Sequence, residues 1–171
     1  SAGGKHYVLR TKPAPASLLL PSAHAIDREY RVMDALSRVD FPVAKQYALC
    51  LDESVIGRAF YVMEFIEGRV LWDQSLPGMS PSERAAIYDE MNRVISLLHR
   101  VDYQAIGLET YGKPGNYFAR QVDRWTRQYK AAETEHIAAM ESLIEWLPQH
   151  IPGGEITTIV HGDYRLDNVI F

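Results

Sequence analysis

The feature that most restricts the fold of this 171-residue chain is a change of hydrophobic period between Phe65 and Ser80. Before it, Lys5–Arg10 (behind a Gly3-Gly4 turn), Val43–Leu51 and Ala59–Phe65 read as strands, and a polar turn holding Gly57 joins the last two. One helix interrupts them. It starts from a cap at Ser22, after the Pro-rich loop Pro13–Pro21, and runs to about Arg38 with Ile26, Tyr30, Met33 and Leu36 on one face. After the change, Ser80-Pro81-Ser82-Glu83 combines a capping box with proline at the first helical position. The helix it opens carries Ile87, Met91, Val94, Ile95 and Leu98 on one face and ends near Arg100. Two further helices follow. One carries Phe118, Val122, Trp125 and Tyr129; the other carries Ile137, Met140, Leu143, Ile144 and Leu147 and stops at Pro148–Pro152. Trp125 and Trp146 sit at helical spacing and are expected in the core. A strand-like run, Ile156–Val160, precedes the last eleven residues. Strands gathered at one end and helices at the other predict an α+β fold, divided into residues 1–68 and 69–171.

Composition excludes several classes of function. The net charge of −4, from 18 basic and 22 acidic residues, offers no basic nucleic-acid surface. The longest aliphatic cluster, Leu18-Leu19-Leu20, is far too short to span a bilayer, so no membrane partner is expected. Cys50 is the only cysteine, which rules out an internal disulfide and fits a reducing, cytoplasmic setting. It lies in the apolar run Tyr47–Leu51 and reads as a strand residue, not a nucleophile.

The chemistry-bearing residues cluster at the end of the chain, in His161-Gly162-Asp163-Tyr164-Arg165-Leu166-Asp167-Asn168. A carboxylate in a short loop after an apolar run, here Asp163, can orient a hydroxyl and accept its proton. Asn168, five residues on, offers a hard amide oxygen suited to magnesium. Arg165 can direct charge at a phosphoryl group, and His161 is placed to fix the loop by hydrogen bonding. Asp167 reads as a loop-stabilising residue. Upstream, Glu29 falls on or beside the apolar face of the first helix, where a carboxylate needs a cation or several donors.

The spacing His161-Gly162-Asp163-x-x-x-x-Asn168 resembles the catalytic loop of aminoglycoside phosphotransferases, choline kinases and their relatives, the counterpart of His-Arg-Asp-x-x-x-x-Asn in protein kinases. The resemblance implies a protein-kinase-like two-lobe fold, with a small β-rich N-lobe (1–68) and a helical C-lobe (69–171). It implies Asp163 as catalytic base, Asn168 as magnesium ligand, and Arg165 where protein kinases often carry a lysine on the γ-phosphate. Tyr7-Val8-Leu9-Arg10 lies where those enzymes have Val-Ala-Ile-Lys, which makes Arg10 the nucleotide-binding cation, with Lys12 as a rival two residues on. Glu29 then resembles the glutamate that pairs with this cation. Glu64-Phe65-Ile66-Glu67-Gly68 resembles the hinge that holds adenine. The implied cofactors are ATP and Mg2+, and the implied acceptor is a small-molecule hydroxyl.

A narrower resemblance rests on Tyr7-Val8-Leu9-Arg10-x-Lys12-Pro13, Ala23 to Met33, Arg120-Gln121-Val122-x-Arg124-Trp125 and the terminal motif. It is to kinase-like domains fused to, or standing beside, acyl-CoA dehydrogenases. It implies a hydroxyacyl substrate and a dehydrogenase domain or partner. An aminoglycoside kinase, and a pseudokinase or nucleotide-binding regulatory module, are the alternatives. Only Ser1-Ala2-Gly3-Gly4 precedes the Arg10 strand, where the family has a glycine-rich loop, and Phe171 closes the sequence before a second metal-binding Asp. The expectation is therefore an incomplete kinase-like fold whose parent protein is active, while these residues alone are inactive and bind magnesium weakly.

Overall fold

The capping box at Ser80 folds as the sequence demands. In the computed structural model, which describes residues 3–11, 26–154 and 156–171, Ser80 Oγ accepts from the Glu83 amide at 3.3 Å and Glu83 Oε2 accepts from the Ser80 amide at 2.8 Å. Orphan N–H groups at the helix start are thereby satisfied. The 20-residue helix that follows is here called α2, Pro81–Arg100; it buries Ile87, Met91 and Leu98.

The elements before it are β1 (Tyr7–Thr11), α1 (Ile26–Leu36), β2 (Gln46–Cys50) and β3 (Phe60–Glu64); those after it are α3 (Tyr117–Ala132) and α4 (Ala138–Trp146). The strands form one antiparallel sheet in the order β1-β3-β2. β3 is the centre, with Arg10 opposite Tyr61 and Leu49 opposite Tyr61 on the other side. β2 is shorter than the strand expected over Val43–Leu51, and its register slips between Gln46 and Ala48. Ser22, Lys12 and Pro13–Pro21 lie outside the described residues.

The described chain divides into two compact units: Ser1–Tyr111 with Thr158–Phe171, and Gly112–Thr157. Both sides of the division expected at residue 68 contribute to the first unit. Its core joins α2 to the terminal motif: Leu76, Ile87, Met91 and Leu166 are buried together, with Leu71, Met79, Tyr164 and Phe171 packed on them. The segment after β3 is stitched to the end of the motif. Arg69 and Phe171 exchange two backbone hydrogen bonds of 3.0 Å. Gly68 comes so close that a Cβ there would stand 2.4 Å from Ile170 Cγ2 and 2.7 Å from the Phe171 carbonyl oxygen.

The second unit holds α3, α4 and a 3₁₀ turn at Leu147–Gln149. Neither helix has a fully buried residue. This corrects the reading of the tryptophans as core: Trp125 and Trp146 are both more than half exposed. Trp125 donates to Gln121 Oε1, and Trp146 stacks on His150 at 3.8 Å. Helical spacing gathers them on apolar stripes, of which Val122, Tyr129, Met140, Ile144 and Leu147 are half-buried while both indole rings stay largely exposed.

The run Ile156–Val160 is likewise not a strand. The sheet takes no strand from it, and Ile156 is 92% exposed. An apolar run becomes a strand only where a ladder partner satisfies its peptide groups. The Thr158 hydroxyl instead anchors the run to α2, donating to the His99 carbonyl at 2.6 Å.

Candidate active site

Among the described residues, hydrogen bonds and ion pairs gather the expected site residues into two clusters. The first is built on β1, α1 and β3. Arg10 Nε donates to Glu29 Oε2 at 2.5 Å and its Nη2 donates to Glu29 Oε1 at 3.2 Å. The sheet supplies a third member that sequence reasoning missed: the Tyr61 hydroxyl donates to Glu29 Oε2 at 3.2 Å. Tyr61 is 2% exposed and lies directly across the strand pair from Arg10. A buried phenol needs an acceptor, and this rule, applied to the strand parity of Tyr61, was the available signal. Glu29 holds the Arg10 proton more tightly than usual through the shared hydrogen bond. Burial, reinforced by the Glu29 charge, pushes the Tyr61 phenol up to about 12.

This arrangement gives a pH expectation. A phenol titrating near 10 when unfolded and near 12 when folded favours the folded chain fully below pH 10, and that contribution is lost as pH rises from 10 to 12. Tyr61→Phe is expected to remove the most alkaline tyrosine transition from an absorbance titration and to lower stability by about 1 kcal/mol. An unchanged titration curve would refute the assignment.

The second cluster is the terminal motif. Leu166 is fully buried and anchors a 3₁₀ turn, Leu166–Asn168, under the reactive groups. Gly162 takes φ +84°, a left-handed conformation that favours glycine and lets the chain turn sharply into Asp163. Asn168 Nδ2 donates to Asp163 Oδ2 at 2.8 Å and to the Asp163 carbonyl at 2.9 Å. Arg165 Nε faces Asp163 Oδ1 at 3.0 Å, and its Nη2 faces Asp167 Oδ2 at 3.1 Å. His161 Nδ1 accepts from the Asp163 amide at 3.4 Å, and its ring meets Tyr164 edge-on. Asp163, Arg165, His161 and Asn168 are therefore brought together. Arg165 is drawn onto two carboxylates, so reaching a phosphoryl group would require giving up at least one of them.

Two supporting residues escaped the sequence reading. Gln74 Nε2 donates to Asp167 Oδ1 at 3.0 Å, and the Tyr164 hydroxyl donates to the Met91 carbonyl of α2 at 2.9 Å. Neither has a spacing signature, because each depends on a contact distant in sequence.

Glu64, Phe65 and Ile66 form a third group, at the end of β3. Glu64 Oε2 accepts from the Lys45 amide at 3.2 Å, while Phe65 and Ile66 are exposed. In the second unit, Glu133, His136 and Glu141 lie close enough to share a cation, but the Lys130 ammonium already sits against both carboxylates.

With this geometry established, three comparisons are informative. The profile of the phosphotransferase enzyme family matches residues 1–171. The chain is 54% identical over 167 residues to acyl-CoA dehydrogenase family member 10 of Mus musculus, covering 98% of this chain and 15% of that protein. It is 48% identical over 170 residues to acyl-CoA dehydrogenase family member 11 of Homo sapiens, covering 99% of this chain and 22% of that one. A crystal structure from Ralstonia eutropha JMP134, assigned as an aminoglycoside phosphotransferase, superposes with a TM-score of 0.86 at 68% identity, over 99% of this chain and 49% of that chain. The chain thus spans about half of that structure and less than a quarter of the curated relatives.

Proposed function

The chain belongs to the phosphotransferase enzyme family and has its kinase-like α+β fold, and we propose that it serves transfer of the ATP γ-phosphate to a hydroxyl of a small molecule. The observation that carries this reading is the tie between Asp163 and Asn168. It commits the Asn168 amide nitrogen inward and leaves its Oδ1 as a hard oxygen for a cation. A magnesium ion would be held through that oxygen and would supply charge neutralisation on the nucleotide phosphates.

The chain's own residues would do the rest. Asp163, its carboxylate fixed by Asn168 and Arg165, orients the acceptor hydroxyl and takes its proton. Arg165 exchanges a carboxylate for the phosphoryl oxygens as charge develops. In the other cluster Glu29 occupies two N–H groups of Arg10, and the remaining three donors of the guanidinium are suited to nucleotide phosphates. Glu64, Phe65 and Ile66 would meet adenine through their backbone. Lobes meeting near residue 68, a cytoplasmic setting and the inactivity of these residues alone belong to the same proposal. Among the described residues no helix is long and apolar enough to cross a membrane.

The acceptor is proposed to be a hydroxyacyl compound. Curated relatives matched over nearly this whole chain carry acyl-CoA dehydrogenase names, and a dehydrogenase domain in the same polypeptide or a partner would supply the acceptor or consume the product. The name of the solved structure favours the second reading, an aminoglycoside acceptor. The test is a screen of the full parent polypeptide with ATP and magnesium against hydroxyacyl-CoA thioesters and aminoglycosides, following ADP release. Acceptor-dependent ADP with hydroxyacyl compounds is expected. Turnover of aminoglycosides alone would replace the acceptor assignment, and nucleotide binding without turnover would make the chain a regulatory module.

A further inference from the structure

Helix α1 is held from two sides, and only one of them belongs to the Arg10 cluster. On the other, Arg31 Nη2 donates to the Gly107 carbonyl at 2.9 Å and to Thr110 Oγ1 at 2.8 Å. Three residues earlier, the Arg28 guanidinium lies 4.3 Å from the centre of the Tyr111 ring, in cation–π range. At 100° per residue, Glu29 projects about 100° and 160° round the helix axis from Arg28 and Arg31. Rotating α1 enough to break the Glu29 contacts would therefore also break the arginine contacts.

The receiving loop is itself held by internal hydrogen bonds. Asp102 Oδ1 accepts from the amides of Gln104 and Ala105, Leu108 N donates to the Tyr103 carbonyl, and Tyr111 N donates to the Leu108 carbonyl. Leu108 is 3% exposed and plugs the loop into the unit. Gly107 takes φ +77°, with open space where a Cβ would stand, so backbone conformation is what favours glycine at the carbonyl that Arg31 reads.

We infer that Arg31, aided by Arg28, is a positioning residue: it latches α1 to the Gly107–Tyr111 loop so that Glu29 holds Arg10 ready before nucleotide arrives. The inference rests on the proposed nucleotide site for its consequence, but the latch itself can be observed without nucleotide. In the full parent polypeptide, Arg31→Ala is expected to raise the Kd for magnesium and a fluorescent N-methylanthraniloyl ATP about fivefold. Thr110→Val, which keeps the shape and removes one acceptor, is expected to raise it about twofold. In a Glu29→Gln background the Arg31→Ala effect should vanish, because the latch acts through Glu29. A merely structural role would leave the two effects additive. Amide exchange without nucleotide should show loss of protection confined to α1 in both latch variants.

Unchanged exchange in α1 overturns the latch. Altered exchange with unchanged nucleotide affinity, or an affinity loss that persists in the Glu29→Gln background, overturns its positioning role. A wild-type polypeptide that binds no nucleotide overturns the proposed function instead, and the exchange result then judges the latch alone.

Discussion

Replacing Asp163 with Asn in the full parent polypeptide is expected to lower the phosphoryl-transfer rate by roughly 10²–10⁴-fold, the contribution of a positioned general base. The substitution keeps the shape of the side chain and an oxygen for Asn168 Nδ2, while Arg165 retains Asp167 as its partner. The loop should therefore keep its form, and nucleotide affinity should change less than threefold or so by the same reasoning. Turnover measured beside the Kd for fluorescent ATP checks both statements. A variant with near-native turnover would show that Asp163 is not the base. A variant equally impaired in nucleotide binding would show that the substitution acts by disturbing the fold.

The second large effect concerns the support beneath the motif. Leu166 is completely buried against Leu76, Ile87 and Met91, at the start of the turn that delivers Asn168 back onto Asp163. Leu166→Ala is expected to cost about 2–5 kcal/mol through lost burial and the cavity left behind. For a chain of this size that corresponds to a fall in Tm of roughly 5–15 °C. Leu166→Met, which nearly conserves volume, should recover most of the loss. Thermal unfolding followed by circular dichroism measures the difference. A fall of no more than about 2 °C for the alanine variant would mean that the core does not depend on this contact.

The sequence made some of this architecture legible because the relevant signals are local. The capping box at Ser80 and Glu83 needs residues only three apart, and helical periodicity fixed the buried face of α2 at Ile87, Met91 and Leu98. Asp163 and Asn168 were legible as a pair through their fixed spacing, though the hydrogen bond between them was not foreseen. Glu29 was legible for a different reason: an acid beside an apolar helical face demands a partner, and the structure supplies Arg10.

What escaped was decided at long range. Gln74 and Tyr164 act through partners distant in sequence, so periodicity carries no trace of them, and strand parity hints at the burial of Tyr61 without naming Glu29 as its partner. The expected core positions of Trp125 and Trp146 failed because an apolar stripe records a need for burial, not the presence of a surface to provide it. Ile156–Val160 failed similarly: strand composition does not supply a neighbouring strand. The engagement of Arg165 with Asp163 and Asp167 was hidden by reading each residue for a separate role.

The contact of Gly68 with Ile170 and Phe171 has a bearing on how such sequences can diverge. One of the two atoms in the way is a backbone oxygen, so trimming the side chain at position 170 does not by itself make room for a larger residue at 68. Nor can the chain simply withdraw, because Arg69 and Phe171 exchange hydrogen bonds through both peptide groups. The stretch after β3 and the stretch leaving the terminal motif therefore fit as a matched pair. Grafting either one from a relative without its counterpart should yield a chimaera that misfits at this seam, even where every reactive residue has been preserved.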